Sequence, residues 1–220
     1  MPAAWPALSR ERGGAGMLTG KNLSFSYRRG KPVLRDVSIQ VEPGERVGLV
    51  APSGHGKSTL VRLLAGQARP QGGQILVDGD GAALRVRPCP VQLICQHPEH
   101  AVDPKWRMGA ILNESWQVDP ETVERLGIRP EWLRRYPGEL SGGELQRFCI
   151  ARALGPATRY LIADEITTML DPNTQAMIWA QLLEQTDKRH IGLLVVTHNT
   201  ALAARVCTRI MRLDKANGTG

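Results

Sequence analysis

The chain has 220 residues, 42% hydrophobic and 22% charged, which excludes wholesale disorder and suffices for one large domain, or one domain with an inserted subdomain. Lysine and arginine number 28 against 21 aspartate and glutamate, and the net charge of +7 favours anionic partners without choosing among phosphates, nucleic acid and acidic lipid. The longest apolar stretches, such as Ile191 to Val196, fall far short of the roughly 20 residues a membrane span requires.

Residues 1–16 read as a Pro-, Gly- and Arg-rich tail rather than a secretion signal, with Met17 as an alternative natural start. From Leu18 the pattern is strand-like. Leu23, Phe25 and Tyr27 alternate with polar residues, as do Val37, Ile39 and Val41 after a break at Gly30-Lys31-Pro32, predicting half-buried antiparallel strands. Pro43-Gly44 makes a turn into the apolar strand Arg46 to Val50; a Gly-rich loop follows, then a helix from Lys57 to Ala65 stopped at Gly66. Gln74 to Val77 and Val91 to Ile94 are further strand candidates. Between His97 and Leu140 the pattern turns to short, Pro-punctuated helical pieces, with Asp119-Pro120 a helix start. Helix from Gly142, strand Tyr160 to Ala163, helix from Pro172, strand Ile191 to Thr197, another helix and a last strand near Arg209 to Leu213 complete the chain. Such alternation predicts a mainly parallel sheet covered on both faces. Cys89, Cys95, Cys149 and Cys207 form no CxxC pair, so reduced thiols in a cytoplasmic protein are expected.

The segment from Ala51 to Thr59 nearly matches G-x-x-x-x-G-K-[ST] between a buried strand and a helix. Glycines let the backbone curl so that successive N–H groups face phosphate oxygens, and the helix N-terminus adds partial positive charge. Ser53, Gly54, His55, Gly56, Lys57, Ser58 and Thr59 are therefore expected to cradle a nucleotide. Lys57 would reach the β- and γ-phosphates, and the Ser58 hydroxyl would hold Mg²⁺. Ala51 replaces the first glycine of the pattern, which is tolerable if its φ stays negative.

The run from Leu140 to Arg147, L-S-G-G-E-L-Q-R, contains a capping box, Ser141 with Glu144 three residues on. Capping does not require the two glycines; Gly142 and Gly143 leave the helix N-terminus bare for a phosphate. This run, the upstream phosphate loop, and Tyr160 to Glu165 ending an apolar strand in two carboxylates make residues 18–213 resemble the ATP-binding subunits of ABC transporters. The resemblance implies an α/β fold of the P-loop ATPase type, with a mainly parallel sheet core, a small antiparallel β subdomain and an inserted helical subdomain. It divides the chain into core 17–96 and 157–215, helical subdomain 97–156, and tails 1–16 and 216–220.

The same resemblance implies roles. Asp164 would join Ser58 and Gln96 around Mg²⁺, Glu165 would polarise the attacking water, and His198 would contact the γ-phosphate. Tyr27 would stack on adenine, and Asp171 would lie at a dimer seam while capping the helix from Pro172. Ser141, Gly142 and Gly143 of one subunit would complete the ATP site of another, stacked head to tail. Ile166, Thr167, Thr168 and Met169 depart from the residues usual in the family, but they avoid the phosphate-handling groups, so activity is expected to survive. Cys95, His97 and His100, with Cys89, fit no common zinc spacing. Glu165 to Asp171 and the stretches Cys95 to Glu99 and Asp103 to Met108 are similar to the peptide/nickel importer branch. The expectation is an ATPase peripheral to the cytoplasmic face of the membrane. It would work as a homodimer, or as a heterodimer with a second ABC ATPase, alongside permeases and, indirectly, a solute-binding protein. A soluble ABC ATPase acting on nucleic acid or ribosomes is the alternative, but no nucleic-acid partner is expected.

Overall fold

The computed structural model describes residues 16–28, 31–52, 54–168 and 170–213. The tails outside that range, Ser53 of the phosphate loop and Met169 lie outside the described residues.

Strands β1 (Leu18–Arg28) and β2 (Lys31–Val41) pair antiparallel, and β4 (Gly72–Val77) pairs with the other edge of β1, giving a three-stranded sheet in the order β2-β1-β4. Of the expected break at Gly30-Lys31-Pro32, Gly30 lies outside the described residues, while Lys31 and Pro32 already belong to β2, where Pro32 pairs with Ser26. β2 is an edge strand, so the N–H that proline lacks breaks no ladder on its outer side. The alternation of β1 also fades along its length. Leu23 is fully buried, Phe25 is half-buried, and Tyr27 is 63% exposed after several register shifts carry the strand end clear of the core.

The main sheet is parallel throughout, in the order β5 (Val91–Ile94), β6 (Tyr160–Asp164), β7 (Gly192–Thr197), β3 (Arg46–Val50), β8 (Arg209–Arg212). Every residue of β6 and β7 is buried, because both faces of the sheet are covered. Strand alternation then sorts the side chains into two cores. Tyr160, Ile162, Leu194 and Val196 join Leu60, Leu63 and Leu64 of helix α1 (Lys57–Leu64) and the apolar face of the antiparallel sheet. Leu161, Ala163, Leu193 and Val195 face the opposite way, towards the helices that follow β5.

Those helices are α2 (Met108–Leu112), α3 (Pro120–Arg125) and α4 (Gly142–Ala153), with short 3₁₀ turns before α2 and between α3 and α4. Asp119 caps α3, accepting from the Thr122 N–H at 2.8 Å. Met108, Ile111, Leu126 and Trp132 pack in the same cluster as Phe148 and Ile150 of α4, so this segment is anchored to the sheet through α4. Burying a side chain of this size is worth roughly 1.5–3 kcal/mol, so the anchoring is substantial. Helices α5 (Pro172–Arg189) and α6 (Thr200–Val206) complete the chain's helical layer. Among the described residues no helix is long and apolar enough to cross a membrane.

Candidate functional site

Because the strands run parallel, their C-terminal ends share one edge of the sheet. Val50 stands opposite Thr197, Ala163 opposite Ile94, and Asp164 opposite Val196, so the residues that follow each strand are delivered together. The phosphate loop follows β3, Gln96 lies two residues beyond β5, Glu165 follows β6, and His198 follows β7.

In the loop, Gly54 and Gly56 have φ of 79° and 86°. A Cβ on Gly56 would also lie 2.9 Å from Leu34 Cδ2 and 3.1 Å from the Val33 carbonyl, so this position excludes side chains twice over. Among the described non-glycine residues positive φ occurs at Asn22, Asp36, Asp78, Glu165 and His190, and Ala51 is not one of them. The missing glycine is thus accommodated without strain. Ala51 is buried, and its carbonyl accepts a 2.5 Å hydrogen bond from Lys57 Nζ, which also donates to the Pro52 carbonyl at 3.2 Å. Ser58 is exposed beside the loop, whereas Thr59 is buried and its hydroxyl lies 3.2 Å from that of Tyr27. Tyr27, standing edge-on to Phe25 with most of its ring in solvent, is therefore tethered to the first turn of α1. His55 is half-buried within the same loop.

Glu165 is the hub. Its φ is 49°, a conformation that costs a non-glycine residue roughly 1 kcal/mol or more, and its N–H is held by the Val196 carbonyl at 3.0 Å. The 14%-exposed carboxylate accepts from Gln96 Nε2 at 3.2 Å, lies 3.3 Å from His198 Nδ1, and is 3.9 Å from Lys57 Nζ. Three side chains, spread over 141 residues of sequence, thus meet on one carboxylate.

Asp164, buried beside this hub, has its carboxyl pushed up to about 6 by burial first and by the adjacent Glu165 charge second, with Lys57 and Arg62 pulling it back down. Ser58, Gln96 and Asp164 line one cavity of about 420 Å³ between α1 and the segment after β5. Their hydroxyl, amide and carboxylate oxygens are the hard donors that Mg²⁺ selects, so the residues present fit that ion. The raised pKa has a direct consequence. The folded state holds the Asp164 proton more tightly than the unfolded chain, so this group's contribution to stability falls as pH rises from about 4 through about 6. Asp164→Asn is expected to stabilise the nucleotide-free protein by on the order of 2–3 kcal/mol at pH 7.5 and by little at pH 4, which urea denaturation at the two pH values will measure.

The L-S-G-G run opens α4. Ser141 Oγ accepts from the Glu144 N–H at 3.3 Å while the Glu144 carboxylate accepts from the Ser141 N–H at 2.9 Å. The two glycines have different surroundings. A Cβ on Gly143 would stand 2.7 Å from Leu170 Cδ2, so a side chain there would have to push that leucine tip aside. At Gly142 nothing lies within 4 Å and φ is not positive, so no neighbour among the described residues accounts for a glycine there. Ser141 and Gly142 are exposed, and no contact joins Ser141–Gly143 to the Glu165 cluster of the same chain among the described residues. Asp171 caps α5, accepting from Asn173 and Thr174 N–H at 3.0 and 3.1 Å; its carboxyl is held below the ordinary range chiefly by the hydrogen bonds from Thr174.

The four departures after Glu165 are absorbed locally where they are described. Ile166 is buried, Thr167 Oγ1 accepts from Trp179 Nε1 at 3.2 Å, and the Thr168 hydroxyl donates to the Glu165 carbonyl at 3.1 Å. His97 faces Glu99 at 3.2 Å and the Cys149 thiol faces the Pro98 carbonyl, and among the described residues no three His, Cys, Asp or Glu side chains gather as a metal site. The sequence does not announce the Trp179–Thr167 bond or the Leu170–Gly143 contact, since each joins residues far apart in the chain and neither spacing repeats a local pattern.

A parallel sheet presenting a phosphate loop, paired carboxylates and a strand-end histidine along one edge defines a P-loop nucleotide-binding protein. Residues 34–168 match the ABC transporter family, and the chain belongs to that family. It is 34% identical over 225 residues to a nickel import ATP-binding protein of Rhodospirillum rubrum, covering 90% of this chain and 81% of that one. It is 35% identical over 214 residues to a methionine import ATP-binding protein of Caulobacter vibrioides, again covering 90% of this chain but spanning only 64% of that relative's length. A solved ATP-binding subunit of an ABC transporter superposes with a TM-score of 0.78 at 26% identity, covering 93% of this chain and 89% of the other.

Proposed function

We propose that this chain is the ATP-hydrolysing subunit of a multi-subunit importer, peripheral to the membrane. The observation that carries the reading is the Glu165 carboxylate, held at a strained φ within reach of Gln96, His198 and Lys57 and one residue from Asp164. Bound Mg²⁺ supplies charge neutralisation at the phosphates. Ser58, Asp164 and Gln96 hold that ion, Lys57 turns from its own loop carbonyls to the β- and γ-phosphates, and Tyr27 offers its exposed ring to adenine. Glu165 takes the proton of the attacking water, and His198 orients on the γ-phosphate.

Two copies, or this chain and a related ATPase, stack head to tail, so that Ser141, Gly142 and Gly143 of one close the site of the other and Asp171 lies at the seam. The open surroundings of Gly142 among the described residues support this: a bare helix N-terminus is suited to an external phosphate. Residues 97–156 form the helical unit that passes the closure to transmembrane permeases. Relatives of nearly equal identity are named for different cargoes, nickel and methionine, as expected when cargo is chosen by other subunits. Nickel, a metal chelate or a peptide is the cargo class we assign.

Reconstitution in lipid with its permease partners is expected to raise ATP turnover several-fold, while DNA or RNA added to the purified chain leaves it unchanged. Stimulation by nucleic acid without permeases would overturn the importer reading.

A further inference from the structure

Gln146 is 3% exposed in the middle of the apolar face of α4, where an unpaired amide would cost on the order of 1–3 kcal/mol. Its Nε2 donates to the Cys95 carbonyl at 3.3 Å, immediately before Gln96. One turn further along α4, the Cys149 thiol donates to the Pro98 carbonyl at 3.8 Å, and after the next step Arg152 Nη1 donates to the Ala101 carbonyl at 2.8 Å. The donors at 146, 149 and 152 and the acceptors at 95, 98 and 101 advance by the same three residues. On α4 a three-residue step is about 4.5 Å along the axis and stays on one face. On the other side Pro98–Ala101 is a 3₁₀ turn, whose carbonyls also repeat every three residues.

From this matched ladder we infer that Gln146, with Cys149 and Arg152, positions the Gln96 segment by riveting it to the helix whose N-terminus is Ser141–Gly143. The two ends of the ladder have different jobs. The segment holds Gln96 against Glu165 in this chain's own site, while the helix start addresses the nucleotide of a neighbouring subunit. A displacement of α4 is then carried to Gln96 as a rigid-body shift instead of being lost in a flexible loop. The neighbouring Arg147 points elsewhere: it donates to the carbonyls of Leu126 and Gly127 and lies 6.0 Å from the Trp132 ring, tying α4 to the rest of the helical segment. Gln146 is thus a positioning residue acting through Gln96, and the inference rests on the role proposed for Gln96 above.

The test is Gln146→Met, which keeps length and removes the donor, in the full chain. Amide hydrogen exchange across residues 96–102 is expected to quicken at least about fivefold, with β6 and β7 protected as before. ATP turnover is expected to fall about tenfold at near-constant KM, and the Gln96→Ala/Gln146→Met double variant to be no slower than Gln96→Ala alone, since both act through one group. Unchanged exchange across 96–102, loss of protection spread over the whole sheet, or kinetic effects that multiply in the double variant would each overturn the inference. A Gln96→Ala protein with full activity would refute the role of Gln96 while leaving the exchange result to judge the ladder. Should Gln146→Met fail to fold, Arg152→Lys with Gln146 intact is read by the same exchange at residues 100–102.

Discussion

Glu165→Gln is expected to bind ATP with near wild-type affinity, to hydrolyse it at least about 100-fold more slowly, and to accumulate as an ATP-bound dimer. The side chain keeps its length and can still meet Gln96 and His198, so the cluster that gathers at the sheet edge survives. What it loses is the capacity to accept a proton and the negative charge 3.9 Å from Lys57 Nζ. The first loss removes the general base, whose contribution is on the order of 10²–10⁴ in rate. The second relieves the repulsion that a γ-phosphate would feel on entering beside a carboxylate, so ground-state binding is preserved or improved while turnover collapses. Phosphate release measured under single turnover, with light scattering in ATP to follow dimerisation, checks both parts. Normal hydrolysis by this variant would remove Glu165 from the chemistry.

The second large effect concerns which chain completes the site. Lys57→Met and Gly142→Asp are each expected to be nearly inactive as pure proteins, yet a one-to-one mixture is expected to regain about a quarter of wild-type ATPase activity. Random pairing makes half of the dimers mixed, and each mixed dimer holds one intact site of two. In that site the normal phosphate loop of the Gly142→Asp chain faces the normal L-S-G-G start of the Lys57→Met chain. Gly142 is the suitable position because its Cβ site is open and its φ is unexceptional, so aspartate fits its own chain and even suits a helix N-terminus. The carboxylate harms only an anion approaching from outside. Lys57→Met withdraws the donor from the Ala51 and Pro52 carbonyls, so its melting temperature is measured alongside. A mixture no more active than the mean of its components would show that each chain builds its site alone.

Most elements were legible because their signals are local. The apolar runs ending at Val50, Asp164 and Thr197 are strands buried on both faces, and Gly66, with φ of 71°, stops α1 where expected. Asp119, Ser141 and Asp171 cap helices as their spacing predicts. Pro32 belongs to β2 and not to the break because β2 is an edge strand, which no local pattern announces. Gln146 is a sharper case. In the sequence it is one letter of a run; its partner, the Cys95 carbonyl, lies 51 residues away and belongs to a backbone position without any side-chain signature.

Composition, periodicity and spacing therefore determined by themselves that this chain makes a parallel sheet with a phosphate loop, two carboxylates after one strand and a bare helix start, because those signals depend on neighbours a few residues apart. Only the tertiary structure decided that Glu165 is the meeting point of Lys57, Gln96 and His198, that Gly143 lies against Leu170 while Gly142 stands open among the described residues, and that α4 grips the segment carrying Gln96. Strand order and helix placement bring those partners within hydrogen-bonding distance, and both are set by how the two faces of the sheet bury their apolar side chains, a property of the whole chain rather than of any stretch of it.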